Sequence, residues 1–373
     1  MITPKDELTA LLTLSKIEKI RPAEAKFLYQ SVGNALDIFR LGKDLVNIVP
    51  GVSQRLIEAL DDSESLCEAE KELCFIDKNA IRCLMPGDDD YPARLTECQD
   101  APLILYTLGN LNLNAEHTVA VVGTRKATVY GKRLAETFVR DLSQLCPGIL
   151  VISGLAYGID IASHRAAIEC SLPTVGVLAH GLDRIYPASH RKDAGLMVNM
   201  GGLVTEFSSG TEPLKRNFVS RNRIVAGLAD AVVVVESAMK GGSLITADIA
   251  ESYFRPCFAF PGAVGDVYSE GCNLLIRNNK AGLIQSAEDF VKDMGWNIPK
   301  VKIPVQNQLF PDIDELSMKV LDAVGKVRSG VEINMLVSEC DIPIGQMLNI
   351  LLELEMKGLV QSHPGCLYTK KNA

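Results

Sequence analysis

The pattern of apolar and polar positions divides the chain into three regions. Residues 1–75 show helical periodicity, with apolar side chains recurring every three or four positions and few β-branched runs. Residues 76–297 instead alternate short apolar runs, such as TVAVV and AVVVV, with amphipathic stretches. Repeated strand, loop and helix units predict a parallel sheet covered by helices on both faces. We therefore expect an α/β fold, in which a Rossmann-like domain follows a small helical domain.

The last part of the chain has a different pattern. After Trp296, a stretch with several prolines predicts a linker over residues 298–312. Residues 313–373 predict three helices followed by a short strand pair, which is the order of a winged helix. A DNA-reading third helix should be basic, yet this one carries Glu353 and Glu355 against Lys357 alone. Contact with protein, or simple packing, is therefore favoured over reading of a DNA groove.

A short motif in the first region, Val49-Pro50-Gly51-Val52, resembles the turn of a helix-hairpin-helix. Its glycine could let the backbone approach a phosphate at a helix N-terminus. The acidic side chains of Asp61, Asp62 and Glu64 nearby would repel DNA, so a tight turn in a helical bundle is the favoured interpretation. We describe the region as a helical domain of the SAM-like or helix-hairpin-helix-like kind.

Composition excludes several classes of protein. Hydrophobic residues make up 47% of the 373 positions and charged residues 23%, which is ordinary for globular domains and unlike disordered chains. No apolar run reaches the roughly 18 residues of a membrane span, and the first residues do not resemble a signal peptide. The ten cysteines form no C-x-x-C pair. We expect a cytoplasmic protein without membrane contact, with reduced thiols and no metal site.

The net charge of −8 argues at first sight against a nucleic-acid partner. The charge is unevenly distributed, however. Residues 1–117 carry 12 basic and 20 acidic side chains, whereas residues 118–297 carry 18 basic and 17 acidic ones. The middle region can therefore hold a local basic patch.

Loops of distinctive composition follow three of the predicted strands. They are Gly123-Thr124-Arg125, the segment Ser153–Asp160 and the segment Lys240–Ser243. Parallel sheets bind ligands at the C-terminal ends of their strands, so these loops should meet at one edge. Glycines and hydroxyls at helix N-termini suit phosphate groups, above all beside Arg125 and Lys126. The glycine spacing matches neither a dinucleotide-binding fingerprint nor a P-loop, so NAD and ATP are not expected as cofactors.

Two groups of polar residues allow alternative interpretations. Asp160 and His164 lie one helical turn apart and could form an acid–base pair, but a helix cap and a packed histidine are favoured because no nucleophile is evident beside them. Arg221 and Arg223 do not share a helix face, so at least one should point toward the loops. The alternative is an internal ion pair with Glu206 or Glu236.

Taken together, several segments resemble the DNA-processing protein A family, also called DprA or Smf. The matching segments follow in family order over roughly residues 85–290: VVGTR, ISGLAYGIDIASH, GLDRIYP, LVTEFSSGTEP, FVSRNRIVAGLADAVVVVES, GGSLITA, FAFPG and GCNLLI. The resemblance implies a Rossmann-like domain that binds single-stranded DNA, forms a homodimer and helps to load the recombinase RecA during natural transformation. It implies no required cofactor and no catalytic residues.

Carried over by position, the resemblance implies a specific set of DNA-binding residues. They are Arg125, Ser153, Gly154, Arg191, Lys192, Arg221, Asn222, Arg223, Lys240, Gly241, Gly242, Ser243 and Thr246. The chain departs from the family pattern at His190 and Ala194, which leaves the placement of Arg191 and Lys192 open. Self-association in the family corresponds to the segment that contains Leu274, Leu275 and Ile276; burial of these side chains in the monomer core is an equally good interpretation.

Two other functions compete with this interpretation. Phosphoribohydrolases of similar fold carry a P-G-G-x-G-T-x-x-E loop with a reacting glutamate, whereas the segment Met239–Asp248 lacks the proline and places its carboxylate out of register. The second alternative is a nucleotide-sensing adaptor that signals through the winged-helix-like domain.

Overall fold

The computed structural model describes residues 6–296, 314–326, 330–363 and 365–370. The chain forms two compact units, Met1–Lys300 and Val301–Ala373. The linker expected at residues 298–312 lies outside the described residues. The predicted domain limits stay predictions.

Helices occupy residues 6–80 of the first unit. They are α1 (Glu7–Lys16), α2 (Pro22–Val32), α3 (Ala35–Leu41), α4 (Leu45–Ile48), α5 (Gln54–Ala59) and α6 (Ser63–Lys78). The side chains of Asp6, Asn34 and Asp62 accept hydrogen bonds from backbone N–H groups in the first turns of α1, α3 and α6, which fixes where these helices begin. The apolar faces of the helices form one core, which also includes Ile104 and Tyr106 from the edge of the neighbouring sheet.

The rest of the first unit is built around a nine-stranded sheet within the described residues. Its strands are β1 (Arg82–Leu84), β2 (Leu105–Leu108), β3 (Thr118–Val122), β4 (Leu150–Ser153), β5 (Thr174–Val177), β6 (Gly202–Thr205), β7 (Ala231–Val234), β8 (Cys257–Ala259) and β9 (Gly282–Leu283). Their order is β1-β2-β6-β5-β4-β3-β7-β8-β9. The strands from β3 to β9 pair in parallel, while β1 and β2 pair antiparallel at one end.

Helices cover both faces of this sheet. They are α7 (Ala93–Thr96), α8 (Val129–Leu145), α9 (Ile159–Glu169), α10 (Arg191–Met200), α11 (Lys215–Leu228), α12 (Gly242–Ser252), α13 (Glu270–Arg277) and α14 (Ala287–Asp293). Val119 and Val121 of β3 pack with α8, α9 and α14 on one face. Ala120 and Val122 pack with α11, α12 and α13 on the other. The strands β3 to β8 are buried on both sides, which confirms the α/β fold expected from the apolar runs.

The topology places the distinctive loops at a switch point. From β3 the chain moves outward through β4, β5 and β6, and α11 then carries it back to β7 on the other side of β3. The loops after β3 and β7 therefore diverge at the C-terminal edge of the sheet, where open α/β sheets form their ligand-binding crevice.

The second unit has the order of a winged helix. Its elements are α15 (Glu315–Gly325), β10 (Val331–Glu332), α16 (Ile333–Cys340), α17 (Ile344–Met356), β11 (Val360–His363) and β12 (Leu367–Lys370). The strands form a small antiparallel sheet in the order β10-β12-β11, and the helices enclose a core that includes Val324, Leu336 and Leu351. Among the described residues, no single helix is long and apolar enough to cross a membrane. The helices α16 and α17 reach that length and composition only as a pair bent by 109°.

Candidate nucleic-acid interface

A cation and an aromatic ring meet where β3 and α11 approach the C-terminal edge of the sheet. Arg125 follows β3 and is exposed, and its guanidinium carbon lies 4.6 Å from the centroid of the Phe218 ring. The ring of Tyr186, which follows β5, lies 5.8 Å from the same ring. Arginine over an aromatic face is held by the ring quadrupole, so the guanidinium is kept in place while its N–H groups stay accessible.

A second aromatic side chain lies at the end of β4. Tyr157 is exposed, packs edge-on against the buried ring of His190, and its hydroxyl accepts a hydrogen bond from Ser189 at 3.4 Å. Beside it lies a cavity of about 430 Å³, and the charged side chains that line it are mostly cationic. They are Arg125, Lys126, Lys132 and Arg165, with Glu136 as the acidic group.

The start of α12 continues this surface. Asn222 lies one helical turn after Phe218, and its side-chain amide donates to the carbonyl of Gly242 at 3.5 Å. Lys240 and Gly242 are exposed, and no side chain caps the first turn of α12, whose N-cap residue is Gly241. Backbone N–H groups beside a lysine at a helix N-terminus form a favourable anion site. We call these residues at the C-terminal edge of the sheet the edge surface: Arg125, Tyr157, Tyr186, Phe218, Asn222, Lys240 and Gly242.

The start of α8 differs from the sequence-based expectation of a phosphate site beside Arg125 and Lys126. Thr128 caps this helix by accepting a hydrogen bond from the N–H of Gly131. The buried carboxylate of Glu236 in turn accepts hydrogen bonds from the N–H of Thr128 at 2.9 Å and from its hydroxyl at 2.5 Å. An internal carboxylate thus occupies the place that a phosphate would take at α8, whereas no side chain caps the start of α12.

Arg221 is an internal residue, which differs from the DNA contact that the sequence suggested. Its side chain is 3% exposed and donates hydrogen bonds to the carbonyls of Gly154, at 2.6 Å, and Val177. These bonds join the ends of β4 and β5. Burial lowers the pKa of Arg221 to about 10, while the nearby carboxylate of Asp160 opposes the shift, so the guanidinium remains charged at neutral pH.

The neighbouring Asp160 and His164 do not form an acid–base pair. The carboxylate of Asp160 accepts hydrogen bonds from the N–H groups of Gly154 at 3.2 Å and Ala156 at 3.4 Å. The ring of His164 is fully buried, and its Nδ1 lies 2.7 Å from the hydroxyl of Thr174. Burial lowers the pKa of His164 to about 3, so this histidine is neutral and structural.

Arg223 also has an internal role. Its guanidinium forms an ion pair with Glu206 and donates a hydrogen bond to the carbonyl of Asp100. Glu206 additionally accepts a hydrogen bond from Ser220 at 3.0 Å. This is the internal pairing left open as an alternative, and it ties α11 to β6 and to the segment before β2.

Four further residues from the expected DNA-binding set are part of the framework. Ser153 is fully buried and its hydroxyl donates to the carbonyl of Val121 at 2.6 Å. Gly154 lies so close to Arg221 that a Cβ would be 2.4 Å from its guanidinium. The hydroxyl of Ser243 donates to that of Ser237, and Thr246 is buried. Side chains without accessible surface cannot contact a DNA strand in this conformation.

The remaining expected residues are accessible to different degrees. Arg191 and Lys192 are exposed at the start of α10, directly after the buried His190. In α13, Leu275 is 4% exposed and belongs to the core beneath β8. Leu274 and Ile276 are half-buried, so only these two of the three proposed dimer residues reach the surface.

The aromatic residues of the edge surface were not identified from the sequence. Tyr157, Tyr186 and Phe218 each lie in a glycine-rich or basic segment, GLAYG, RIYP and KRNFVSR respectively. Aromatic side chains interleaved with cations at strand ends are a signal typical of single-strand binding, because every base has a face that can stack. That signal is present in the sequence, but only the fold shows that Phe218 and Tyr186 are neighbours.

Metal and thiol chemistry find no support at this edge. Within the described ranges, no group of three or more His, Cys, Asp or Glu side chains is arranged to hold a metal ion. All ten cysteines are free thiols, and burial raises the pKa of Cys257 and Cys272 to about 12. These two thiols are therefore protonated and unreactive at neutral pH.

Comparisons with known proteins give matches over most of the chain. A family model for DNA recombination-mediator protein A matches residues 82–295, and a model for the DprA winged helix domain matches residues 308–366. Protein Smf from Escherichia coli K12 is 33% identical over 300 residues, which cover 79% of each chain. The DNA processing protein DprA from Streptococcus pneumoniae R6 is 39% identical over 206 residues, 55% of this chain and 72% of the relative.

Two solved structures have a similar fold. The crystal structure of DNA processing protein A from Streptococcus pneumoniae gives a TM-score of 0.58 at 32% identity, covering 74% of this chain and 98% of that one. DNA processing protein A from Helicobacter pylori, whose structure describes a single-stranded DNA binding mode, gives a TM-score of 0.52 at 29% identity. That match covers 57% of this chain and 95% of the other.

Proposed function

This chain belongs to the DNA-processing protein A family, and on that premise we propose that it binds single-stranded DNA and acts as a recombination mediator. The observation that carries the proposal is the edge surface. It combines a cation on an aromatic ring, Arg125 over Phe218, with a second cation, Lys240, beside the uncapped start of α12. A single strand offers this surface phosphates to pair with cations and bases to stack on rings.

The direct contacts are assigned to the accessible residues of the expected set. They are Arg125, Arg191, Lys192, Asn222, Lys240, Gly241 and Gly242, joined by Lys126, Tyr157, Tyr186 and Phe218. The buried residues of the set and the half-buried Arg223 support them from behind. Ser153, Gly154, Arg221, Arg223, Ser243 and Thr246 hold the strand ends and helix starts at their positions.

The proposal extends to partners and setting. Loading of a RecA-type recombinase onto the bound strand, protection of incoming DNA during natural transformation, and a cytoplasmic location follow from the family resemblance. Self-association is assigned to the surface that includes Leu274 and Ile276 on α13. We propose no catalytic turnover and no cofactor, because the two buried carboxylates beside the edge surface, Asp160 and Glu236, are engaged in internal contacts.

The hydrolase alternative is not favoured. The acidic residue near the glycine loop, Asp248, is exposed and pairs with Lys280 at 2.7 Å on α12's outer side. Glu236 is buried as the partner of Thr128. Neither carboxylate is placed to act as an acid or base on a ligand at the start of α12.

Fluorescence anisotropy with labelled oligonucleotides tests the proposal. We expect the full chain to prefer single-stranded over double-stranded DNA of equal length, with little dependence on base sequence. Affinity should fall steeply with salt concentration, because phosphate contacts release counterions. A flat salt response, or no binding at low salt, would overturn the assignment of the edge surface to DNA.

A pair of matched variants localises the binding. Arg125→Glu combined with Lys126→Glu should lower the affinity for a single strand about 100-fold, since two phosphate contacts become repulsive. The control, Lys43→Glu combined with Lys78→Glu, makes the same change of charge at exposed positions of the helical region. If both variants lose affinity equally, the effect reflects net charge and the site assignment is wrong.

A further inference from the structure

The winged-helix unit carries an apolar surface that its own core does not use. Helix α17 buries Met347, Ile350, Leu351 and Leu354 on one side. Outside this buried side lie four more apolar residues at every fourth position, which we call the apolar stripe: Ile344, Leu348, Leu352 and Met356. Their exposed fractions are 52%, 47%, 60% and 82%. A helix that packs one face in a core normally keeps polar residues on the other, so this stripe marks an interaction surface.

The chemistry of the stripe argues against a nucleic-acid partner. In a DNA-reading winged helix the corresponding helix enters the major groove with basic and amide side chains. Here the exposed side is apolar, and the charged residues beside the stripe, the exposed Glu353 and the half-buried Glu355, are both acidic. A phosphate backbone would be repelled, and four aliphatic side chains would gain nothing from a polar groove.

We propose that the apolar stripe of α17 pairs with the same stripe of a second copy of this chain, in an antiparallel arrangement. The stripe is self-complementary: a two-fold axis between Leu348 and Leu352 places Leu348 of one copy against Leu352 of the other. The same axis places Ile344 against Met356. An isologous contact uses the same residues from both copies, and the stripe supplies all of them.

Charge selects the antiparallel direction. Parallel pairing would bring the carboxylates of Glu353 and Glu355 from the two copies together, and like charges at a contact are destabilising. Antiparallel pairing instead places both carboxylates near the first turn of the other α17, where the helix dipole favours an anion. The first turn of α17, which begins at Ile344, carries no acidic side chain.

The spacing of the stripe also determines the geometry of the contact. Residues four apart form a single ridge, and two such ridges interdigitate when the helices cross at about 50°. The contact is then centred on Leu348 and Leu352. Because four side chains per copy bury less than the roughly 1,200 Å² of stable complexes, the association should be weak, with a Kd of roughly 10–100 µM. It adds to any contact through α13 and would link protomers that are already concentrated on one DNA strand.

The test uses sedimentation of the full chain over a concentration range from about 1 to about 200 µM. Leu348→Lys and Leu352→Glu should each shift the association to about tenfold higher concentration or abolish it. Both residues are exposed, so thermal stability should stay that of the native chain. Met335→Lys is the control, since Met335 is an exposed apolar residue on α16 outside the stripe.

Mixing the two variants gives the decisive measurement. Antiparallel pairing sets the lysine introduced by Leu348→Lys in one chain against the glutamate introduced by Leu352→Glu in the other. The second pair, Leu352 of the first chain with Leu348 of the second, stays apolar, so an equimolar mixture should recover association. A mixture that does not recover would overturn the antiparallel arrangement. The proposal is overturned if the single variants sediment like the native chain. It is also overturned if the mass of the native chain does not depend on concentration, because the stripe then serves another contact.

Discussion

Two basic segments lie at the same edge of the sheet, and they use their arginines in opposite ways. The loop after β3 presents Arg125 at the surface, supported from below by the ring of Phe218. Helix α11 directs Arg221 into the interior and Arg223 into an ion pair with Glu206. The three side chains carry the same charge, but only the first keeps its donors accessible to a ligand.

The difference follows from what each arginine would leave unpaired if it moved. Withdrawal of Arg221 would expose two backbone carbonyls at the ends of β4 and β5 to an apolar interior and leave Asp160 buried without its cation. Buried polar groups without partners cost several kcal/mol. Rearrangement of Arg125 costs only a cation–π contact at the surface, on the order of 1 kcal/mol. The two arginines of helix α11 therefore belong to the framework, and Arg125 in the loop after β3 belongs to the interface.

The largest expected effect is on the framework side. Arg221→Ala should lower the free energy of unfolding by roughly 3–5 kcal/mol, because it orphans a buried carboxylate and two carbonyls. Urea denaturation measures this, with Arg221→Lys as the variant that keeps the charge but not the two-carbonyl geometry. A nearly unchanged unfolding free energy together with a large loss of DNA affinity would reverse our assignment of the two segments.

The next effect is a pH dependence of stability that arises from a buried residue of the framework and not from the edge surface. The pKa of His164 is about 3 in the folded chain and about 6.5 when unfolded. The unfolded chain therefore binds a proton at His164 below pH 6.5 that the folded chain does not, and this residue should lower stability by about 2 kcal/mol between pH 7 and pH 4.5. The edge surface as defined contains no histidine and no carboxylate, so DNA binding by the folded chain should change little.

The control for this prediction is His164→Gln, which retains a polar group toward Thr174. Its stability should depend less on pH between 7 and 4.5 than that of the native chain. The dependence should be reduced rather than abolished, since burial also lowers the pKa of His180. Identical pH profiles of the variant and the native chain would refute the role given to His164.

On the interface side, the aromatic support should contribute less than the framework. Phe218→Ala should weaken binding of a single strand about tenfold, through loss of base stacking and of the surface that orients Arg125. Phe254→Ala is a matched control, because Phe254 is 93% exposed and follows the C-terminal end of α12. Anisotropy titrations with single-stranded DNA should show a lower affinity for Phe218→Ala than for Phe254→Ala. Equal affinities of the two variants would mean that Phe218 does not contribute to the edge surface.

The smallest effect is expected for the second framework arginine. Arg223→Gln should change DNA affinity less than twofold and lower stability by about 1 kcal/mol, because its ion pair with Glu206 is only partly buried. Glu206→Gln should have a similar effect on stability. A loss of DNA affinity as large as that of the Arg125 and Lys126 variant would place Arg223 in the interface after all.

Much of the architecture was predictable because it rests on local patterns. Runs such as TVAVV and AVVVV are buried on both sides in the sheet, as a parallel arrangement requires. The order of helices and strands after residue 313 predicted the winged helix. The position of the glycine-rich loops at the C-terminal edge followed from the βαβ connections. These features depend on spacing along the chain, which a sequence displays directly.

The partners of individual side chains were not predictable in the same way. Glu236, which follows β7, occupies the start of α8, a helix more than a hundred residues earlier in the chain. Leu275 in α13 is buried beneath β8. No local pattern encodes either contact, because each depends on which elements the sheet order makes neighbours.

By itself, the sequence determined the fold class, the family and the edge of the sheet where chemistry collects. The tertiary structure decided which cations at that edge are free, which helix N-terminus is open to an anion, and which rings support the surface. The physical reason is that periodicity is set by neighbours along the chain. The availability of Arg125, in contrast to Arg221, is set by burial and by distant backbone groups brought together only on folding.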